Sequence, residues 1–365
     1  MTIFINGRFL TQPVSGVQRY AREVLGALDR LLADRSGARR VEVLVPRDVD
    51  PPDWRVLQTR VVRGGSGHRW EQGALYRASR DGVLLSLGNS GPLRHRAHIL
   101  CLHDANLFEI PEAFSASYRA WHRMLRPALA RRAAALLTVS EHSAEELSRH
   151  LGVASAWFEI VPNSAEHVLN WPVGSGVPKR YGLRSGGYFL SVGNQSPNKN
   201  IARLVAAHAQ AQGVPPLVIV GSGVPGVAHA KAGQGAGVHV LGRVPDADLR
   251  GLYEGAAGFV FPSLYEGFGI PPLEAMQLGV PVLCARSGAM PQVLGQGAAW
   301  FDPRDVNDMT RALEAFAAMD SADRVTRVVI GRAVAAQYRW SSNATRILEV
   351  IDWICRAFVP PQVLV

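Results

Sequence analysis

The chain has 365 residues, 39 Lys and Arg against 30 Asp and Glu, a formal net charge of +9, and 47% hydrophobic residues. That length exceeds one ordinary core and predicts about two domains, and the apolar share excludes a disordered chain. Three scattered cysteines (Cys101, Cys284 and Cys355) show no CxxC or CxxxH spacing, which argues against a disulfide framework or a zinc site and fits a reducing cytoplasm.

In chain order, MTIFINGRFL carries no charged leader and reads as a first strand over 2–5 rather than a signal peptide. Apolar residues at Val17, Tyr20, Ala21, Val24, Leu25, Leu28 and Leu31 predict a helix over 17–32. Strand-like runs follow at 41–46, 56–62 (the weakest), 82–88, 98–104, 134–140 and 158–163. Short Val/Ile/Leu strands separated by helical segments predict a parallel sheet covered on both faces, so 1–169 is expected to form one doubly wound domain. Residues 170–187, rich in Gly, Pro and Ser, read as a linker.

A second alternation fills 188–340. Its strands are expected at 188–193, 216–221, 238–242, 258–263, 281–285 and 298–303, with helices near 200–212, 246–256, 271–279, 289–294 and 305–319. A last helix over 343–358, in the segment 341–365, is expected to pack back on the first domain. The fold class is therefore α/β: two doubly wound, Rossmann-like parallel-sheet domains facing across a cleft, where ligands of such sheets bind. No apolar run approaches the roughly 20 residues that span a bilayer, so a soluble or peripheral protein is expected.

The most informative segment is FVFPSLYEGFGIPPLEAMQLGVPVL, 259–283. A buried strand ends at Ser263, a loop holds Glu266, Gly267, Phe268 and Gly269, and Pro271 and Pro272 start a helix that Gly279 ends. A helix start offers free N–H groups and a partial positive charge to a diphosphate, and glycines let a ligand approach the backbone. Glu266 and Glu274, the latter expected in the first helical turn, suit sugar hydroxyls. Taken singly, each glutamate reads more readily as a solvated loop acid (Glu266) or a helix N-terminal acid (Glu274) than as a functional one.

The whole string resembles the Glu–seven residues–Glu motif of retaining glycosyltransferase family 4, whose members have the two-Rossmann-domain B-type fold. The resemblance implies that Glu266 and the backbone of Gly267, Phe268, Gly269 and Ile270 hold the donor sugar and diphosphate, while Glu274 binds the nucleotide ribose. SVGNQSPNKN (191–200) is similar to the loop that supplies a lysine to the donor phosphates, here Lys199 with Asn198 before it. Asn194 and Asn198 stand where relatives often carry a second cation, leaving more charge to Lys199. SGVQRYAREVL (15–25) resembles the first loop, which places Gly16 under the diphosphate or acceptor and Arg19 towards the cleft. CLHDANLFEIPEAFS (101–115) resembles the stretch whose histidine, here His103, reaches the donor sugar. VLGRVPDADLRGLYEGA (240–256) is similar to the base-contacting segment, so Arg243 and Val244 are assigned there. Ser140 and Ser143 are candidate helix caps.

The resemblance implies a metal-independent, retaining glycosyltransferase with no cofactor beyond a nucleotide-diphosphate sugar as co-substrate. The catalytic assignments are His103, Glu266 and Lys199, and no Asp-x-Asp motif or His/carboxylate spacing suggests a metal site. The expected sugar is a hexose, with mannose the working choice, carried on GDP or UDP. The expected acceptor is a saccharide or lipid-linked oligosaccharide of cell-envelope synthesis. A catalytically inactive nucleotide-sugar scaffold and a nucleotide-sugar epimerase remain the alternatives. A dinucleotide oxidoreductase fits poorly, because GSGVPG (221–226) is not GxGxxG. The basic segment YRAWHRMLRPALARR (118–132) suits an anionic membrane surface at the inner face of the cytoplasmic membrane, or equally a solvated helix. No motif points to nucleic acid.

Overall fold

Runs of Val, Ile, Leu and Phe only four or five residues long become strands when both faces are covered, and every predicted run forms a strand, the polar and partly exposed one at 58–61 included. The computed structural model describes residues 1–35, 39–194, 196–221 and 237–358. The chain divides into two units, one comprising Met1–Asn163 with the segment from Trp340 onward, the other Ser164–Arg339.

In the first unit, β1 (Ile3–Asn6), β2 (Val41–Val45), β3 (Gln58–Val61), β4 (Val83–Ser86), β5 (His98–Cys101), β6 (Ala135–Thr138) and β7 (Phe158–Ile160) form one parallel sheet. Their order is β3-β2-β1-β4-β5-β6-β7. The order reverses between β1 and β4, the switch point at whose strand carboxyl ends ligands bind in such sheets. Helix Gly16–Ala33 buries Tyr20, Ala21, Val24, Leu25 and Leu28. Helix Trp340–Phe358 lies against it, burying Ile347, Leu348, Ile351 and Ile354. It starts three residues before the predicted point.

In the second unit, β8 (Phe189–Val192), β9 (Leu217–Val220), β10 (Val238–Gly242), β11 (Gly258–Phe261), β12 (Val282–Ala285) and β13 (Ala298–Phe301) are also all parallel. Their order is β10-β9-β8-β11-β12-β13. The switch point falls between β8 and β11, so the loops leaving these two strands must meet.

The segment 170–187, read from composition as a linker, falls inside the second unit. Its short helix Val177–Arg180 buries Val177 against Gly251, where an added Cβ would stand 2.6 Å from the valine. Arg180 and Tyr181 both bind Asp248, at 2.5 and 2.7 Å. Its Gly, Pro and Ser content marks irregular backbone that packs. Two of the longer helical stretches among the described residues were not foreseen. One runs over 67–79 and the other is Ser321–Ala335. The second buries only Gly331 and Ala335 and leaves Val325 and Val329 exposed, so it has no apolar stripe to read.

Candidate active site

The two loops that meet at the second switch point are tied by asparagine amides. Asn200, at φ +55°, donates from Nδ2 to Pro262 O (3.1 Å) and Pro303 O (2.8 Å). Asn198 Nδ2 reaches Tyr265 O at 3.4 Å, and Leu264 N returns a bond to Asn198 O at 2.7 Å. This lacing places Lys199 opposite Glu266. Lys199 Nζ donates to Glu266 Oε1 at 2.5 Å and sits over the Phe261 ring, 5.3 Å from its centroid. Both side chains keep partial solvent contact. The residues assigned to phosphate and sugar are thus each other's partner.

Glu266 is fixed from behind by its backbone. Ala289 N donates to Glu266 O at 3.0 Å, and Gly288, at φ +54°, lies so close that a Cβ would stand 2.6 Å from that oxygen. Gly269, at φ +90°, precedes helix Ile270–Gln277. Pro271 and Pro272 carry no N–H, so placing them in the first turn costs this helix start no hydrogen bond. Phe268 turns its ring edge-on to Tyr338 at 5.2 Å, leaving its backbone as the part available to a ligand.

Glu274 departs from expectation. It is the fifth residue of the helix, beyond the first turn, and is buried. It therefore does not complement the helix dipole as an N-terminal acid. His167 Nε2 donates to its Oε1 and Tyr253 OH to its Oε2, both at 2.8 Å. Burial first, and then the adjacent carboxylate, push the Tyr253 phenol well above its usual range, so it remains a donor. Neither partner was visible in sequence, because His167 lies 107 positions away and no spacing links them. Exposed Arg243 and half-buried Val244 follow Gly242 (φ +68°) and precede helix Asp246–Glu254, which carries Tyr253. Gly221 N donates to Gly242 O, and the rest of the glycine run 221–226 lies outside the described residues.

The first unit holds the other assigned residues. His103 follows β5 and is buried, its Nε2 donating to Leu87 O at 2.8 Å and its ring 4.8 Å from Tyr20. Burial, the largest influence, lowers its pKa, so the imidazole is neutral near pH 7. Asn89, at φ +63°, accepts from His103 N at 2.8 Å. Gly16 opens helix Gly16–Ala33, exposed, and Arg19 lies 3.9 Å from Glu23. Ser140 caps helix Glu141–Leu151 through Ser143 N, whereas Ser143 Oγ donates to His103 O at 2.9 Å instead of capping.

The basic segment forms helix Ala116–Arg132, with Arg123, Met124, Arg131 and Arg132 exposed. Arg126 is buried, donating to Asp104 O at 3.3 Å. Folding also gathers carboxylates and a histidine that sequence spacing did not reveal. Glu109, Glu146 and His150 bring ligand atoms within 4.8 Å of one another. His150 binds Glu109 at 2.6 Å, and Arg149 pairs with Glu146.

A strand-loop-helix carrying Glu266 and Glu274 thus stands beside the Lys199 loop, and the comparisons with known proteins give the family of the chain. The family model for Glycosyl transferases group 1 matches residues 182–327. O-antigen chain mannosyltransferase B of Escherichia coli is 31% identical over 280 residues, 71% of each chain. The chain belongs to the group 1 glycosyltransferases. A second Escherichia coli relative, the serotype-specific mannosyltransferase WbdA, is 30% identical over 240 residues, which is 60% of this chain but 28% of WbdA. HepE of Anabaena, solved with UDP and glucose, shares the fold at 15% identity with a TM-score of 0.71, covering 96% of this chain and 99% of that one. This glycosyltransferase therefore has the two-domain B-type fold. Among its described residues, no helix is long and apolar enough to cross a membrane.

Proposed function

We propose that this glycosyltransferase is a retaining, family 4 mannosyltransferase that uses GDP-mannose to extend a saccharide or lipid-linked saccharide of the cell envelope. The observation that carries the reading is the Lys199–Glu266 pair, set beside a glycine-gated helix start one turn before Glu274. The 31% identity to an O-antigen chain mannosyltransferase supports the choice of sugar. HepE's complex with UDP and glucose supports a nucleotide-sugar donor.

In the proposed step the acceptor hydroxyl oxygen bonds to the anomeric carbon on the face the diphosphate leaves. The bond from that carbon to the phosphate oxygen breaks, its electron pair stays on the diphosphate, and the hydroxyl proton passes to the departing oxygen. Lys199 and the amides around Gly267–Ile270 meet the developing negative charge, which is the role a metal would otherwise take. Glu266 and His103 orient the sugar, Arg243 and Val244 lie along the base, and Gly16 and Arg19 border the diphosphate or acceptor. The enzyme is proposed to act at the cytoplasmic face of the membrane, held there by its exposed arginines.

Incubation with GDP-mannose and a mannoside acceptor in EDTA, followed by NMR of the product, tests this. An α-linked product is expected. Transfer from UDP-glucose alone would overturn the donor, a β-linked product the retention, and loss of activity in EDTA the metal independence.

A further inference from the structure

Helix Trp340–Phe358 carries two stripes at helical spacing. One, with Ile347, Leu348, Ile351 and Ile354, is buried. The other, with Arg346, Glu349, Val350 and Trp353 at i, i+3, i+4 and i+7, lines a cavity of about 580 Å³. Ala133, Ala134 and Ala135 also line it, where helix Ala116–Arg132 gives way to β6, and so do Trp157 and Phe158, where the turn Ser155–Trp157 meets β7. Three methyl side chains in a row leave open the volume that larger core side chains would fill. Ligand clefts span roughly 300–1,000 Å³, and this cavity falls within that range.

The cavity keeps two aromatic rings in solvent. Trp157 is 59% and Trp353 56% exposed, whereas Trp70 and Trp340 are enclosed. Two bare indoles beside one cavity mark a contact surface. The polar groups are few. Arg346 pairs with Glu159, and Glu349 is exposed, so one arginine stands against two carboxylates although the whole chain carries +9. That balance repels an anionic lipid or a phosphate. It suits hydroxyl groups, which donate to carboxylates and accept from a guanidinium, while the C–H face of a sugar ring packs on an indole.

Position separates the cavity from the chemistry. Ala135 and Phe158 are the first residues of β6 and β7, whereas His103 follows the carboxyl end of β5 in the same parallel sheet. The cavity therefore lies at the opposite ends of these strands from the sugar-binding assignment.

We propose that this cavity is a non-catalytic saccharide-binding site that holds a distal stretch of the glycan the enzyme extends. Trp157 and Trp353 stack on sugar rings, and Glu159, Glu349 and Arg346 take hydroxyls. This rests on the mannosyltransferase reading above. A glycan held there keeps its growing end at a raised local concentration, provided it is long enough to span to the active site. Long acceptors therefore gain from the cavity and short ones do not.

Two measurements on the whole chain test this. The indole N–H signals of Trp157 and Trp353, assigned by their loss in the variants, are followed by NMR during titration with α-linked mannotetraose. Mannose transfer is then compared between a single mannoside and a long mannan oligosaccharide. A stacked ring is worth about 5-fold in affinity, so Trp353→Ala should weaken the binding read at Trp157 by about that factor, and Trp157→Ala the binding read at Trp353. Trp353→Phe, which keeps a ring, should recover most of the loss. The double alanine variant should raise the long-acceptor KM about 10-fold, while kcat, the single-mannoside KM and the melting temperature stay as in the parent. Indole signals that do not respond to mannotetraose, or an unchanged long-acceptor KM, overturn the proposal. So does an equal effect on both acceptors, which marks altered chemistry or folding. Loss of phosphatidylserine-vesicle binding or of self-association in the double variant, with saccharide binding intact, overturns it in favour of a lipid or a second copy. A chain that binds mannotetraose through the two rings yet transfers no mannose overturns the functional reading and leaves the site standing.

Discussion

Lys199 and Glu266 form an ion pair at 2.5 Å across the loops leaving β8 and β11, 67 residues apart in sequence. Any diphosphate that binds Lys199 must share or displace that carboxylate, which gives the two residues opposite signatures. Glu266→Gln removes the competitor, so GDP should bind as well as before or more tightly. Transfer should nonetheless fall by about 100-fold, since the sugar loses a charged partner. Lys199→Ala should weaken GDP binding and transfer together. Titration with GDP beside initial rates reads both, and a Glu266→Gln protein that loses GDP affinity would show that the carboxylate does not oppose the phosphate.

Gly288 is the backstop of the same loop. Its φ of +54° already disfavours a side chain, and a Cβ would meet Glu266 N at 2.8 Å and Glu266 O at 2.6 Å. Gly288→Ala should destabilise the second unit by about 1–3 kcal/mol and depress transfer more than nucleotide binding, because the displaced residue is Glu266. Calorimetric unfolding together with a kcat and KM split checks this. Unaltered kcat would mean that the Glu266 backbone is free to shift without consequence.

His98 makes the first unit acid-sensitive. It is buried on β5 with Nε2 2.9 Å from Ser86 Oγ. Burial, and then nearby His95, lower its pKa from 6.5 to about 3, partly opposed by Glu71. Below pH 6.5 the unfolded chain takes up a proton that the folded chain refuses. The stability is therefore complete above that pH and is lost as pH falls towards 3, by about 1.4 kcal/mol per pH unit. Hydrogen exchange of β4 and β5 amides between pH 7 and 5 should show a slope of at least this size, and His98→Gln should reduce it by His98's share, since His95, His103 and His122 of the same unit are lowered as well. An equal slope in the variant would assign the acid sensitivity to other groups.

Each of the thirteen strands among the described residues falls on a run read from the sequence, most of them short and apolar, with the partly exposed QTRV of β3 the exception. Lys199 and Glu266 were legible as motif residues, yet their contact was not. It depends on β8 and β11 being neighbours, which only strand order reveals. The depth of Glu274 and its two partners was hidden for the same reason. Helix periodicity would have placed it in the second turn, but two prolines blurred where the helix begins. Composition misled at 170–187, where glycine and proline serve packing against helix Asp246–Glu254.

Burial divides the arginines of helix Ala116–Arg132 into two kinds, and this sharpens the membrane proposal. Arg123, Arg131 and Arg132 are exposed alongside Met124, whereas Arg126 is buried and donates to Asp104 O. Each exposed arginine near an anionic bilayer contributes about 1 kcal/mol of attraction. Replacing Arg123, Arg131 and Arg132 together by Gln should therefore lower partitioning onto phosphatidylserine vesicles by about 100-fold at low salt, with the melting temperature unchanged. Arg126→Gln should do the reverse, lowering the melting temperature while exposed charge and vesicle binding stay as they were. Sedimentation with vesicles of increasing phosphatidylserine content, set beside thermal unfolding, measures both. If the triple variant binds as the parent does, this helix is an ordinary solvated face and the membrane contact must lie elsewhere.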